Sequence, residues 1–364
     1  MKIAEVISFL ESIAPPSYQE QYDNAGLLTG NTGWECKGII CSLDAIEEVV
    51  NEAVEKNCNL IVAHHPIIFG GLKKINGKNY VEKTVIRAIK NDIAIYAIHT
   101  NLDNVIDGVN GRMAKMLGLK NVSILSPKQN TLKKLFTFVP VEKAEPVRNA
   151  IFAAGGGYIA NYSECSFNAE GEGTFKPEEG TNPYVGDIGK RHTEKELKVE
   201  VILPAYLENK IVAAMKAAHP YEEVAYDVVD LSNMNQRVGS GVIGELNEPV
   251  EEKKFLEKLK EVFGLQVVRH TALSGKPIGK VALCGGAGSF LTAKALTAGA
   301  DVYVTADMKY HEFFDANGRM LVADIGHYES EQFTINLLQE ILEKKFPTFA
   351  VLKTGVETNP VRYF

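Results

Sequence analysis

Apolar residues in this chain fall in short unbroken runs that alternate with stretches of helical spacing. Ile3, Val6, Ile7, Leu10 and Ile13 recur at helical intervals and Pro15-Pro16 stops them, which predicts a helix over 3–14. Residues 38–44 read as a buried strand and 45–56 as the helix after it. Residues 59–63 form the next strand, running into His64. A helical stretch over 80–91 follows, and then the strand 93–98, which delivers His99. Continuous apolar runs alternating with amphipathic helices predict an α/β fold, a mainly parallel sheet with helices on both faces.

The same rhythm returns late in the chain. Residues 280–284 lead into Gly285-Gly286-Ala287-Gly288-Ser289, residues 302–304 into Thr305-Ala306-Asp307, and residues 320–323 into Asp324. A helix is expected over 330–344, with Phe333, Ile335, Leu337, Leu338 and Ile341 as its apolar set. Between the halves the texture changes. Strands at 135–139, 197–203 and 224–229, helices at 144–154 and 207–217, and a further strand with a Gly/Glu-rich loop give the order β-α-β-β-α-β. That order is the ferredoxin-like signature. The expected organisation is an α/β core formed by 1–131 and 239–364, interrupted by an α+β insert at 132–238.

Composition narrows the function classes. Hydrophobic content of 45% and charged content of 23% over 364 residues are those of a globular protein. A formal charge of −7 gives no electrostatic reason to expect nucleic-acid or anionic-membrane binding. No run reaches the roughly 18 apolar residues of a membrane-spanning helix, and Glu5 falls where a secretory signal would turn apolar. The five cysteines form no CxxC pair; Cys36 and Cys41 either join a metal site or, as the preferred reading, are buried apolar thiols. A cytoplasmic location is expected.

Three separated stretches carry metal-ligand residue types directly after strand-like runs: Ala63-His64-His65-Pro66, His99-Thr100-Asn101-Leu102-Asp103, and Asp324-Ile325-Gly326-His327-Tyr328-Glu329-Ser330-Glu331. They hold four of the eight histidines. Ligands of open α/β sheets bind outside the carboxyl ends of the strands, so these stretches can converge although the sequence separates them. A metal site is the expectation.

In these motifs the chain resembles the NGG-interacting-factor-three-like proteins, also catalogued as GTP cyclohydrolase type 2 homologues and as a dinuclear-metal-centre hexameric family. Asp23-Asn24-Ala25-Gly26-Leu27 looks like that family's opening motif, with Tyr22 where Trp is expected. The insert looks like the CutA-like domain of the longer bacterial members, and His219-Pro220-Tyr221-Glu222-Glu223 fits it. The resemblance implies that His64, His65, Asp103, His327 and Glu331 bind two divalent ions per chain, and that the chain forms a homo-oligomer, a hexamer.

That assignment is chemically sound. Pro66 holds His65 extended, and where the backbone turns at the strand end the two histidines can each serve a different metal. His327 and Glu331 share a face if their segment is helical. Two metals about 3.5–4 Å apart need a bridging group, which Glu331 or water can provide. A His/carboxylate set suits Zn best here, with Fe, Mn or Co also accommodated. His99 is expected to support the ligands or face substrate, with a satisfied structural histidine as the alternative. His311 follows a strand end and either faces the same crevice or is structural. Asp44 either orients a ligand or caps a helix. His192 and His270 carry no pattern.

The glycine run 285–289 fits neither the dinucleotide nor the P-loop fingerprint and reads as a turn before a helix. Residues 169–190 read as a solvated hairpin loop. Two function classes follow. One is a metal-dependent hydrolase, in which metal-activated water acts on a small molecule such as a nucleotide or phosphoester. The other is a non-catalytic regulatory or ligand-binding module with structural metals. Five side chains shared by two metals leave coordination positions open, which favours catalysis.

Overall fold

The computed structural model describes residues 1–364. Residues 1–127 and 236–364 form one compact unit and residues 128–235 another. No helix is long and apolar enough to cross a membrane.

The first unit is built on two sheets. One has the strand order Gly26–Thr29, Ala94–Ala97, Leu60–Ala63, Ile39–Ser42, Val351–Lys353, parallel except for the first pair. Its central strands are buried throughout, and their alternate residues serve different cores. Ile39, Cys41, Leu60 and Val62 face the helices Ile3–Ile13 and Thr334–Lys345. Ile40, Ile61 and Ala63 face Glu47–Glu55 and Tyr80–Lys90. Period-two geometry makes a strand covered on both sides read as one unbroken apolar run.

The second sheet has the order Arg269–His270, Leu321–Asp324, Val302–Ala306, Ile278–Ala287, Gly239–Val250, Lys120–Pro127. Only its three central strands run parallel; the flanking ones pair antiparallel. Helices again lie on both faces, Val109–Leu117 and Glu252–Phe263 on one and Thr292–Thr297 on the other. The class is therefore α/β, but the core has two sheets, and its antiparallel margins were not readable from apolar runs. Gly239–Val250 carries Gly239, Gly241, Gly244 and Pro249, residue types that read as turns. The helix expected over 330–344 is also split, into His327–Glu331 and Thr334–Lys345.

Residues 128–235 form one antiparallel sheet in the order Phe167–Phe175, His192–Pro204, Leu132–Pro140, Tyr226–Asp230. The helices Ala144–Ala153 and Glu208–Ala218 pack Val147, Ile151, Ile211 and Met215 onto Leu135, Val139, Val199, Val201 and Leu203. The loop expected over 169–190 is shorter than the sequence suggests. Phe167–Phe175 pairs with His192–Pro204 along its whole length, and only residues 176–191 form the connection. Glycine and glutamate are poor strand formers by propensity, but nine consecutive pairings override that preference.

Candidate metal centre

Each histidine of the centre leaves the end of a strand. Leu60–Ala63 ends in His64 and His65. Ala94–Ala97 leads through Ile98 to His99, and the one-turn helix Thr100–Asp103 carries Asp103 inward. From the second sheet, Leu321–Asp324 passes through Gly326, at φ +88°, into the turn that bears His327 and Glu331. The two sheets thus supply opposite walls of a single cluster.

All four rings are oriented the same way. His64 Nδ1 donates to the Ile98 carbonyl at 2.9 Å. His65 Nδ1 is held by Asp44 at 2.8 Å, His327 Nδ1 by Asp307 at 2.7 Å and His99 Nδ1 by Asp23 at 2.7 Å. A hydrogen bond from one ring nitrogen to a carbonyl or carboxylate fixes the tautomer and leaves the other nitrogen's lone pair for a cation. The Nε2 atoms accordingly converge. That of His65 lies 2.9 Å from Glu331 Oε2 and 3.4 Å from His327 Nε2, and that of His327 lies 3.1 Å from the same carboxylate oxygen.

The deepest corner supplies the test of fit. His64 Nε2 stands 3.6 Å from Asp103 Oδ1 and 3.9 Å from Glu331 Oε2. His64 Nε2 and Asp103 Oδ1 are buried and have no hydrogen-bond partner. With Nδ1 committed to a carbonyl, Nε2 has no proton to offer. Two acceptors, His64 Nε2 and Asp103 Oδ1, therefore face each other without a donor, a costly arrangement in a buried site. A cation resolves it. Converging ligand atoms form three overlapping sets: His64, Asp103 and Glu331; His65, His327 and Glu331; and His64, His65 and His99. The residues present fit a divalent-metal site.

Electrostatics set His64 apart from the other rings: it is neutral, whereas the carboxylates favour a proton on His65 and His327, which a cation would displace. Burial drives His64 down to about 3, so it is neutral at any physiological pH. For His65 burial opposes protonation, but Asp44 and Glu331 outweigh it and raise the ring to about 9. Asp307 and Glu331 do the same for His327, to about 11. Burial also raises Asp103, reinforced by Glu331. Glu331 itself is held well below its usual range because the histidines outweigh its own burial. Burial of Asp23 is likewise overcome by His99 and Thr100, which bring it to about 2. The centre is an anionic pivot, Glu331, ringed by imidazoles.

The glycine run has a steric task here. A Cβ on Gly286, whose φ is +62°, would stand 2.4 Å from Glu331 Oε1, and the Gly286 N–H donates to Ser330 Oγ at 3.0 Å. The run gives Glu331 its space, and the strand Ile278–Ala287 continues through most of it. Asp44 orients His65, and Thr358 Oγ1 donates to its other oxygen at 2.6 Å. His311 is not brought in. It lies exposed in the turn Tyr310–Ala316, its ring against Tyr310 and Phe314. Asp23 and Asp307 were not singled out from the sequence. Asp307 had one usable signal, its place at the end of Val302–Ala306. Asp23 lies in a loop and had only its motif. Four cysteines are buried, Cys284 among them.

The family described as Duf34/NIF3 (NGG1p interacting factor 3) matches residues 1–360. A Halalkalibacterium halodurans protein named GTP cyclohydrolase 1 type 2 homolog is 40% identical over 371 residues, covering all of both chains. A Bacillus subtilis protein of the same name is 36% identical over 99% of this chain and 98% of its own. Among solved structures, a Bacillus cereus protein related to NIF3 has a TM-score of 0.88 at 39% identity, covering 100% of this chain and 99% of that one. A Staphylococcus aureus protein reaches 0.78 at 30% identity with the same coverage. Whole-length matches of this kind, over the strand ends that build the centre, place the chain in the Duf34/NIF3 family.

Proposed function

We propose that the centre holds two divalent cations and that the protein is a metal-dependent hydrolase of a small nucleotide or phosphoester. The supporting observation is the unpartnered pair His64 Nε2 and Asp103 Oδ1, which converge with Glu331 Oε2 beside the His65–His327 pair. His64 and Asp103 would hold one ion, His65 and His327 the other, and Glu331 would bridge them. Zn suits this donor set best, and Fe, Mn or Co are accommodated. When bound, such ions supply Lewis acidity and bring the acidity of water towards neutrality.

The chain's own residues do the rest. Asp44, Asp307 and Asp23 fix the histidine rings, and Ile98 fixes that of His64. His99, backed by Asp23, is placed to hold or release a proton beside the ions. The centre opens into a cavity of about 470 Å³ rather than being closed over by protein. Tyr22, Phe69, Tyr80 and Phe290 line it while remaining 54–66% exposed. Exposed rings around a site that would hold cations suit a ligand that combines a planar base with phosphate. The relatives' name, GTP cyclohydrolase 1 type 2 homolog, is compatible with a nucleotide. Assembly as a homo-oligomer, a hexamer by resemblance, and a cytoplasmic location belong to the same reading.

The test is a panel of nucleotides and phosphoesters assayed with metal-loaded protein, chelated protein and Glu331→Gln. Turnover that chelation removes, metal restores and the variant lacks is the expected result. Absence of turnover across the panel, with chelation only lowering the melting temperature, contradicts the hydrolase reading.

A further inference from the structure

Residues 128–235 contain a second cavity, of about 620 Å³, and every residue lining it belongs to that unit. It lies on the sheet face opposite the two helices. Val199 and Val201 point into the helix-packed core, whereas Glu196, Lys198 and Phe138 line the cavity. Pro177, Thr181, Pro183 and Tyr184 from the connection 176–191 cover part of it. The size is that of small-molecule sites, and the walls are mainly apolar.

Its aromatic walls are Phe138, Phe175, Tyr184 and Tyr221. The Phe175 and Tyr184 ring centroids lie 5.9 Å and 6.1 Å from that of Tyr221. Glu196 stands among them and is only 7% exposed. The Tyr221 hydroxyl donates to Glu196 Oε1 at 2.8 Å, while Oε2 accepts from no protein donor. Gly173 is what gives that second oxygen room, because a Cβ there would stand 2.1 Å from it. Lys198 does not neutralise Glu196. Its ammonium is taken by Glu200 Oε1 at 2.9 Å and lies 4.4 Å above the Phe136 ring. Glu222 and Glu223 add charge of the same sign around the lining.

A largely buried carboxylate whose second oxygen has no protein donor and opens to the cavity is free to pair with a cation that enters it. Inorganic coordination does not fit, since the convergent sets of metal-ligating atoms all lie in the other unit. Aromatic faces around a carboxylate instead recognise an organic ammonium, by cation–π attraction and a charge-assisted hydrogen bond. We propose that this cavity is a binding site for a small organic cation, an ammonium carried on an apolar or aromatic body. Glu196 takes the charge, with Phe175, Tyr184 and Tyr221 as the cage.

Calorimetric titration of the full-length protein with phenethylamine, 2-phenylethanol and 3-phenylpropanoate tests this. Phenethylamine is expected to bind at least about tenfold more tightly than the neutral and anionic analogues, as expected for one charge-assisted contact. Glu196→Gln keeps an acceptor for Tyr221 and is expected to remove that preference. Gly171→Leu provides a second variant. A Cβ at Gly171 meets nothing within 4 Å, and Gly171 pairs directly with Glu196, so its side chain enters the cavity and is expected to block phenethylamine. Both variants are expected to retain the metal content and melting temperature of the parent. Equal binding of all three compounds, no binding of phenethylamine at millimolar concentration, or unchanged binding in Gly171→Leu overturns the proposal. So does a result in which Gly171→Leu changes only the oligomeric state, because the cavity would then be occupied by another copy.

Discussion

Two buried glutamates, one in each unit, illustrate how surroundings decide what a carboxylate binds. Glu331 sits among imidazoles whose Nε2 atoms converge on it, and beside it His64 Nε2 and Asp103 Oδ1 face each other without a donor. Glu196 sits among aromatic rings with one hydroxyl donor and a free oxygen. The first environment offers several coordinating atoms at short range, which a small, highly charged inorganic ion needs. The second offers one charge and wide polarisable faces, which suit a large, diffuse organic cation. Burial is common to both, so the difference lies in the neighbours.

The largest expected effect comes from removing the shared pivot. Glu331→Gln keeps the shape but deletes the negative charge that would serve both proposed ion positions. Affinity for divalent metal is expected to fall by more than about 100-fold, since even outer-shell partners are worth about 10–100-fold. Equilibrium titration with Zn measures it. A change confined to one of two ions would break the bridging assignment.

Next come the carboxylates that hold the histidine rings from outside the proposed ligand set. Asp307→Asn and Asp44→Asn each keep a side chain beside a histidine while removing the charge that holds its ring. Metal affinity is expected to drop by about 10–100-fold with little change in melting temperature of the chelated protein. The same substitution at Asp227, in the strand Tyr226–Asp230 and outside the converging ligand sets, is expected to do nothing to metal affinity.

Gly286→Ala sharpens the comparison from the backbone side. The positive φ and the approach to Glu331 both penalise a side chain, so a loss of about 1–3 kcal/mol is expected. Chemical denaturation measures it, and metal affinity is expected to fall in parallel. A loss of stability with metal binding untouched would show that Gly286 serves the turn alone.

The smallest effect concerns the insert. Burial holds the His219 ring below its ordinary value of 6.5, although its hydrogen bond to the Phe138 carbonyl opposes the shift. The unfolded chain therefore takes up this proton at higher pH than the folded one. His219 contributes its full stability above about pH 6.5, and that contribution is lost as pH falls through the folded value. Comparing melting temperatures of the parent and His219→Gln across pH 5–8 isolates the term, because titrations elsewhere are common to both. The parent is expected to lose more on acidification, and parallel curves would contradict the assignment.

Much of the core could be read from sequence because fully covered parallel strands write themselves as unbroken apolar runs. The motifs at their ends were visible for the same reason: His64, His65, His99, Asp103, His327 and Glu331 each follow such a run closely. What escaped lacks that context. Asp23 lies in a loop, and Asp307 reaches His327 only through the fold. His311 followed a strand end and yet faces outward, because the turn after Val302–Ala306 directs it there. The strands Gly239–Val250 and Phe167–Phe175 are rich in glycine or glutamate, and pairing partners distant in sequence override that composition.

Metal content tests the central claim most directly. Protein loaded with Zn, desalted and analysed by mass spectrometry of its metal is expected to carry two ions per chain. His64→Ala with Asp103→Ala is expected to retain one, at His65, His327 and Glu331. A parent that binds none or one, or a double variant that still binds two, would contradict the dinuclear centre.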